Sequence, residues 1–169
     1  MSATERPPLV FDANVLIDFL NADDELLTAV VRTIGPVHVP VPVLNEVETL
    51  DEARCGALGL DVVMPTLREI DAASTPSGRL SFADRTCLTL SHQRGWTCVT
   101  NERALRNACK AAGVPVARGL RLLICLVEAG AIGTNRAEAA ALAMHASNPH
   151  GIPADVLDEF RRLLRALSG

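Results

Sequence analysis

Asp12 in LVFDANVLIDFL, Glu46 in PVPVLNEVE, Asp84 in LSFADRTCLTL and Glu102 in WTCVTNERALRNAC stand where an apolar strand ends or a helix opens. A carboxylate at the rim of such a core is costly unless a cation or a set of donors compensates it. Four of them, each in its own strand and helix context, call for one explanation: a carboxylate cluster that binds a divalent metal.

Each acid also has a plainer use. Asp12 could simply cap the helix that follows it, and Ser81 with Asp84 fits a capping box, in which the two side chains satisfy each other's backbone amides. Glu102, first in its helix after Thr100 and the expected cap Asn101, could complement the helix dipole. Glu46 shares its stretch with Glu48, Asp51 and Glu52, which have the character of a solvated face. Asn14 is placed to orient the Asp12 carboxylate or a water, or else to satisfy local backbone, whereas Asp18 reads first as a surface acid and second as a support behind the site.

The elements that must position these residues follow from apolar spacing. Short apolar runs at Leu9 to Phe11, Val37 to Val39, Asp61 to Met64, Trp96 to Thr100 and Val114 to Ala117 predict five strands. Between them, helical spacing predicts helices over Val15 to Leu20, Leu26 to Ile34, Leu44 to Leu50, from Ser81 to near Gly95, through Leu105 and Cys109, and over Leu120 to Val127. STPSG reads as a loop. Alternating strands and helices predict an α/β fold, with a parallel sheet covered by helices on both faces. In such sheets ligands collect at the carboxyl ends of strands beside a topological switch point, where Asp12 would stand.

Beyond Gly130 the pattern is purely helical, one helix capped by Thr134 or Asn135 and a last one opened by Pro153. Residues 1–130 therefore form the expected α/β domain and residues 131–169 a helical extension packed on it. A hydrophobic fraction of 49 % and a mean hydropathy of +0.22 suit strands buried on both faces. No apolar run is long enough to span a membrane, and the opening MSATERPP has the form of neither a signal peptide nor an anchor, so cytoplasmic residence is expected.

The net charge of -4 conceals an asymmetry. Residues 1 to 71 carry 13 acids and 4 bases, whereas residues 72 to 127 carry 2 acids and 8 bases. That basic third surrounds Asp84 and Glu102 and could lead a phosphate backbone to them, with Arg85, Arg103 and Arg106 the nearest candidates. The five cysteines are scattered without a CxxC pair and read as reduced core thiols; the four histidines fit no metal motif.

Taken together, VFDANVLIDFL, VPVPVLNEVE, LSFADRTCLTLSHQRGWTCVTNERAL and AGVPVARGLRLLICLVEAGAI resemble the PIN domain family of metal-dependent nucleases, and within it the VapC-like toxins of toxin-antitoxin pairs. The likeness spans about residues 8 to 130. It implies a PIN-like three-layer α/β/α fold and hydrolysis of RNA with magnesium (Mg2+) or manganese (Mn2+) held by Asp12, Glu46, Asp84 and Glu102. Asn14 and Thr100 would support the site, and Arg85, Arg103 and Arg106 would hold the RNA. The fourth acid is usually Asp in this family and is Glu102 here, longer by one methylene. A cognate antitoxin that covers the acidic pocket is the partner the likeness implies, and the apolar first and last helices offer a homodimer face.

Two rivals belong to other classes. A binding module with an acidic pocket but no turnover would share most of these features. A phosphotransfer receiver would need an acidic doublet near the first strand and a late lysine, and the one lysine here is Lys110, within a helix.

Overall fold

Leu9–Phe11 forms β1, and all three residues are buried, as befits a strand covered on both faces. The other strands are Val37–Pro40 (β2), Asp61–Val63 (β3), Thr97–Val99 (β4) and Val116–Ala117 (β5). In the computed structural model, which describes residues 6–169, they form one sheet of order β3-β2-β1-β4-β5. Part of the opening segment read for targeting signals, Met1 to Glu5, lies outside the described residues. Every pairing is parallel, with Leu9 opposite Val37 on one side and Thr97 on the other. The order reverses direction between β1 and β4, so their carboxyl ends flank the switch crevice.

Right-handed crossovers then dictate which face each helix covers. Ala13–Ala22 (α1), Glu25–Thr33 (α2) and Glu52–Leu58 (α4) connect the strands running one way from β1. Leu67–Ser74 (α5), Phe82–Arg94 (α6) and Arg103–Ala111 (α7) serve the strands running the other way and take the opposite face. Gly119–Glu128 (α8) returns to the first face, where it meets α2. Thr134–Ser147 (α9) lies against α1 and α8, and Ala154–Leu167 (α10) against α8 and α9. The buried face of α9 is largely alanine, Ala137, Ala140 and Ala141, which lets its backbone come close to α1. Met144, Ile152, Leu157 and Phe160 join the same apolar core as Phe11, Phe19 and Leu123, so the apolar faces of α1 and α10 are spent largely within the chain.

The structure departs from expectation between β2 and β3. A helix was expected to run through Leu44, Val47 and Leu50, but Val41–Leu44 (α3) stops after four residues. Tight turns follow, with amide bonds from Glu46 to the carbonyl of Val43, Val47 to Leu44 and Leu50 to Val47. These turns bury Val47 and Leu50 just as a helix would, while extended Asp51 caps α4 by accepting from the Arg54 amide at 2.7 Å and so ends any continuation. The short helices α4 and α5 carry little apolar periodicity and were not expected. Thr66 and Glu69 nevertheless form a capping box at the start of α5, a signal present in the sequence.

The end of α6 is anchored by a forked ion pair. Arg94 donates to both Glu69 oxygens at 2.8 and 2.7 Å and lies 5.0 Å from the centre of the Trp96 ring. Those bonds, with the Thr66 cap, hold the Glu69 carboxyl down at about 2 against an ordinary 4.5, even though burial opposes them. A lowered folded-state value means the pair stabilises above pH 4.5 and is lost as pH falls through 2. Glu69→Gln should therefore cost about 2 kcal/mol at neutral pH. In urea titrations the gap from the parent should narrow steadily below pH 4.5; a gap independent of pH would show that the ion pair is not its source.

Candidate active site

The switch crevice is built around Asp12. Its amide donates to the carbonyl of Val99, its Oδ1 accepts from the Val15 amide at 2.8 Å, and its Oδ2 accepts from the Thr100 hydroxyl. One residue thus joins the ends of β1 and β4 to the first turn of α1. Asp12 is only 2 % exposed. Burial raises its pKa to about 7, against the Thr100 and Val15 bonds, and the charges of Asp84 and Glu102 raise it further.

Thr100, fully buried, donates to Asp12 and accepts from the Glu102 amide at 3.0 Å. Glu102 sits at the cap position of α7 but makes no cap bond with its side chain; Asn14 donates to its Oε1 at 2.8 Å instead. Asn14 thus orients Glu102, where the sequence suggested Asp12 or a water. The Asn101 expected to cap this helix is buried elsewhere in the site. Asp84 makes the predicted capping box, accepting from the Ser81 amide at 3.0 Å. Glu46 stands on the exposed turn after α3, and burial followed by the Asp84 charge raises its pKa. The mutual influence of Asp12, Asp84 and Glu102, and of Glu46 with Asp84, puts the four acids in one electrostatic neighbourhood.

By type these carboxylates suit a hard divalent cation. Among the described residues, no three acidic, histidine or cysteine side chains stand close enough to close around an ion. Asp84 is held by its capping box and Glu102 by Asn14. The donor chemistry fits such a cation. The arrangement is an open one.

The arginines divide. Arg85 donates to the carbonyls of Ala73 and Leu80 at 2.7 and 2.6 Å and fastens the loop before α6, so the guanidinium expected to hold RNA has a structural task. Arg103 and Arg106 stand with Glu102 and Arg118 around a cleft, Arg106 also donating to the Asn101 carbonyl.

A family model described as PIN domain matches residues 8–165. This chain belongs to the PIN domain family. PIN domains are generally nucleases and typically use divalent metals. The PIN match continues beyond residue 130, through α9 and into α10. No curated protein matches the chain. Among the described residues, no helix is long and apolar enough to cross a membrane.

Beside this crevice lies a polar web that sequence reasoning did not assemble. Asp18, read as a surface acid, is 3 % exposed; it accepts from Asn101 at 2.9 Å and from Asn148 at 3.1 Å. Asn101 in turn accepts from the Gly119 amide at 3.0 Å, and Asn148 from the Gly151 amide at 3.0 Å. Burial lifts the Asp18 pKa to about 6 against its two asparagine donors, with the Glu102 charge adding to the rise. A signal existed: Asp18 falls three residues after buried Val15 and beside Phe19, on the inward stripe of α1. Nothing local marks Asn148, 130 residues away in sequence.

Asp12 supplies a pH test. Because its folded-state value is raised from 3.8 to about 7, folding holds its proton more tightly, and stability falls as pH rises across that interval. In EDTA above pH 7, Asp12→Asn should be more stable than the parent by about 1–3 kcal/mol, since removing the buried charge outweighs the loss of one of its two acceptors. Magnesium should raise the urea midpoint of the parent and leave the variant unmoved. A variant less stable than the parent above pH 7 would mean that the buried charge is already fully compensated.

Proposed function

We propose that this PIN domain is a divalent-metal-dependent endoribonuclease that hydrolyses RNA phosphodiester bonds, and that it is the toxin of a toxin-antitoxin pair. The observation that carries the reading is the buried Asp12 carboxylate, raised toward neutrality beside Asp84 and Glu102 at the switch point of the sheet. Such a group is poised to gain from a cation. Asp12, Glu46, Asp84 and Glu102 would hold magnesium or manganese, which when bound lowers the pKa of water and offsets charge on the scissile phosphate. The chain's own contributions are positional. Thr100 fixes Asp12 and the start of α7, Asn14 aims Glu102, and Arg103 and Arg106 offer cations for the backbone on either side of the cut. The antitoxin would cover the acidic pocket and set a cation of its own among the carboxylates.

A second reading has an observation in its favour. The acids do not close around an ion as they stand, and the fourth is the longer Glu102, which suits a module that binds nucleic acid or protein with little turnover. Labelled total RNA separates the two when incubated with parent protein and Asp12→Asn under magnesium, manganese or EDTA. The nuclease reading expects cleavage by the parent with either metal, none in EDTA, and a loss of about 100-fold or more in the variant. Intact RNA in every lane, with no metal binding by calorimetry, would leave the binding module.

A further inference from the structure

A cleft of about 430 Å³ opens beside Glu102, walled on one side by Arg103, Arg106 and Arg118 and on the other by His150 and Asp155. The first wall comes from α7 and the cap of α8, and the second from the α9–α10 turn and the first residues of α10. Six other arginines, among them Arg54, Arg94 and Arg136, are held in ion pairs with carboxylates. Among the described residues, none of the three arginines of this cleft makes one. They act on one another instead: burial and then the neighbouring Arg118 charge lower the pKa of Arg106, Glu102 draws it up, and Arg103 lowers it again.

Three cations gathered without ion pairs in a concave site, against the two carboxylates of Glu102 and Asp155, leave an excess of positive charge. The amino-terminal ends of α7, α8 and α10 meet at the same cleft; none is capped by its own cap residue, although Asn101 takes the first amide of α8, that of Gly119. Their dipoles add to the positive potential. The cleft adjoins Glu102 and, through Asn14 and Thr100, the Asp12 crevice, so an anion held here would be continuous with a chain entering the site. The exposed His150 ring adds a flat face on which an unpaired base can stack.

We infer that this cleft is a subsite for single-stranded RNA flanking the scissile bond, with phosphate on Arg103 and Arg118 and a base against His150. The inference rests on the ribonuclease reading for its substrate class, and it gives the helical tail a part in binding. It also distinguishes Arg118 and His150 from the residues the sequence had suggested.

Binding in EDTA tests the subsite apart from cleavage. Fluorescence anisotropy of a labelled mixed-sequence RNA dodecamer would be followed over a potassium chloride series for the parent, Arg103→Gln, Arg118→Gln, Arg118→Lys, His150→Ala and Arg68→Gln. Arg68 is an exposed arginine on α5 and controls for net charge. Arg103→Gln and Arg118→Gln should each weaken binding about fivefold or more at low salt and reduce the salt slope by about 0.7. Arg118→Lys should keep the slope, His150→Ala should weaken binding without changing it, and Arg68→Gln should match the parent. Among the described residues Arg103 makes no side-chain hydrogen bond or ion pair, so its variant answers the question even if Arg118→Gln perturbs the fold. A parent that does not bind the dodecamer, or cleft variants that match Arg68→Gln, would overturn the subsite. Weakened binding in these variants together with no metal-dependent cleavage by the parent would keep the subsite and overturn the nuclease reading.

Discussion

A carboxylate almost removed from water at the meeting point of β1, β4 and α1 is the constraint on which the rest of this molecule depends. Asp12 takes an amide from α1 and a hydroxyl from the end of β4, while its own amide completes the ladder to Val99. Two donors offset part of the cost of burying the charge, and two neighbouring acids add to it. The balance leaves the carboxyl with a raised pKa, a poor choice for stability alone, because an uncharged side chain would escape both the desolvation and the repulsion. PIN domains typically use divalent metals, and under the reading proposed above a divalent cation would relieve that cost.

A second layer of polar bonds holds that site in register with parts of the chain far away in sequence. Asn101 reaches Asp18 on α1, receives the Gly119 amide at the start of α8, and offers its carbonyl to Arg106. Asn148 brings the α9–α10 turn to the same carboxylate and secures its own loop through Gly151. Each side-chain amide nitrogen and oxygen of Asn101 and Asn148 has a partner. In a low-dielectric setting such completeness makes a network stiff, whereas one missing member would leave a buried group unpaired. The tail is thereby bound to the loop that carries Glu102, and the cleft between them takes its shape from both.

The sheet was readable because its strands are short apolar runs whose burial on both faces leaves little else for them to be, and the switch point followed from placing Asp12 at the end of the first. The 40–60 stretch was not readable in the same way. Val47 and Leu50 are buried by turns of spacing three, a pattern that apolar periodicity does not separate from a helix, and the competing signal was the cap at Asp51. Asp18 was misread because its polarity outweighed its position on the apolar stripe. Asn101 looked like a helix cap since its type and place allow it; its buried role depends on Gly119 and Asp18, contacts that only the folded chain creates.

The plainer uses of these acids and their use in a metal site do not exclude one another. An ionised carboxylate has about four lone-pair sites, and a cap bond uses one of them. Asp84 gives its Oδ2 to the Ser81 amide and has Oδ1 to spare; Asp12, bonded once on each oxygen, keeps capacity on both. The cap bond does more than fill a backbone donor, since it fixes the direction in which the remaining lone pairs point. Glu102 lacks a cap bond and has the longer side chain, and there Asn14 supplies the missing direction from the first turn of α1. Local hydrogen bonds thus fix three of the four acids, Asp12 and Asp84 through cap bonds and Glu102 through Asn14, while Glu46 on the turn after α3 caps no helix.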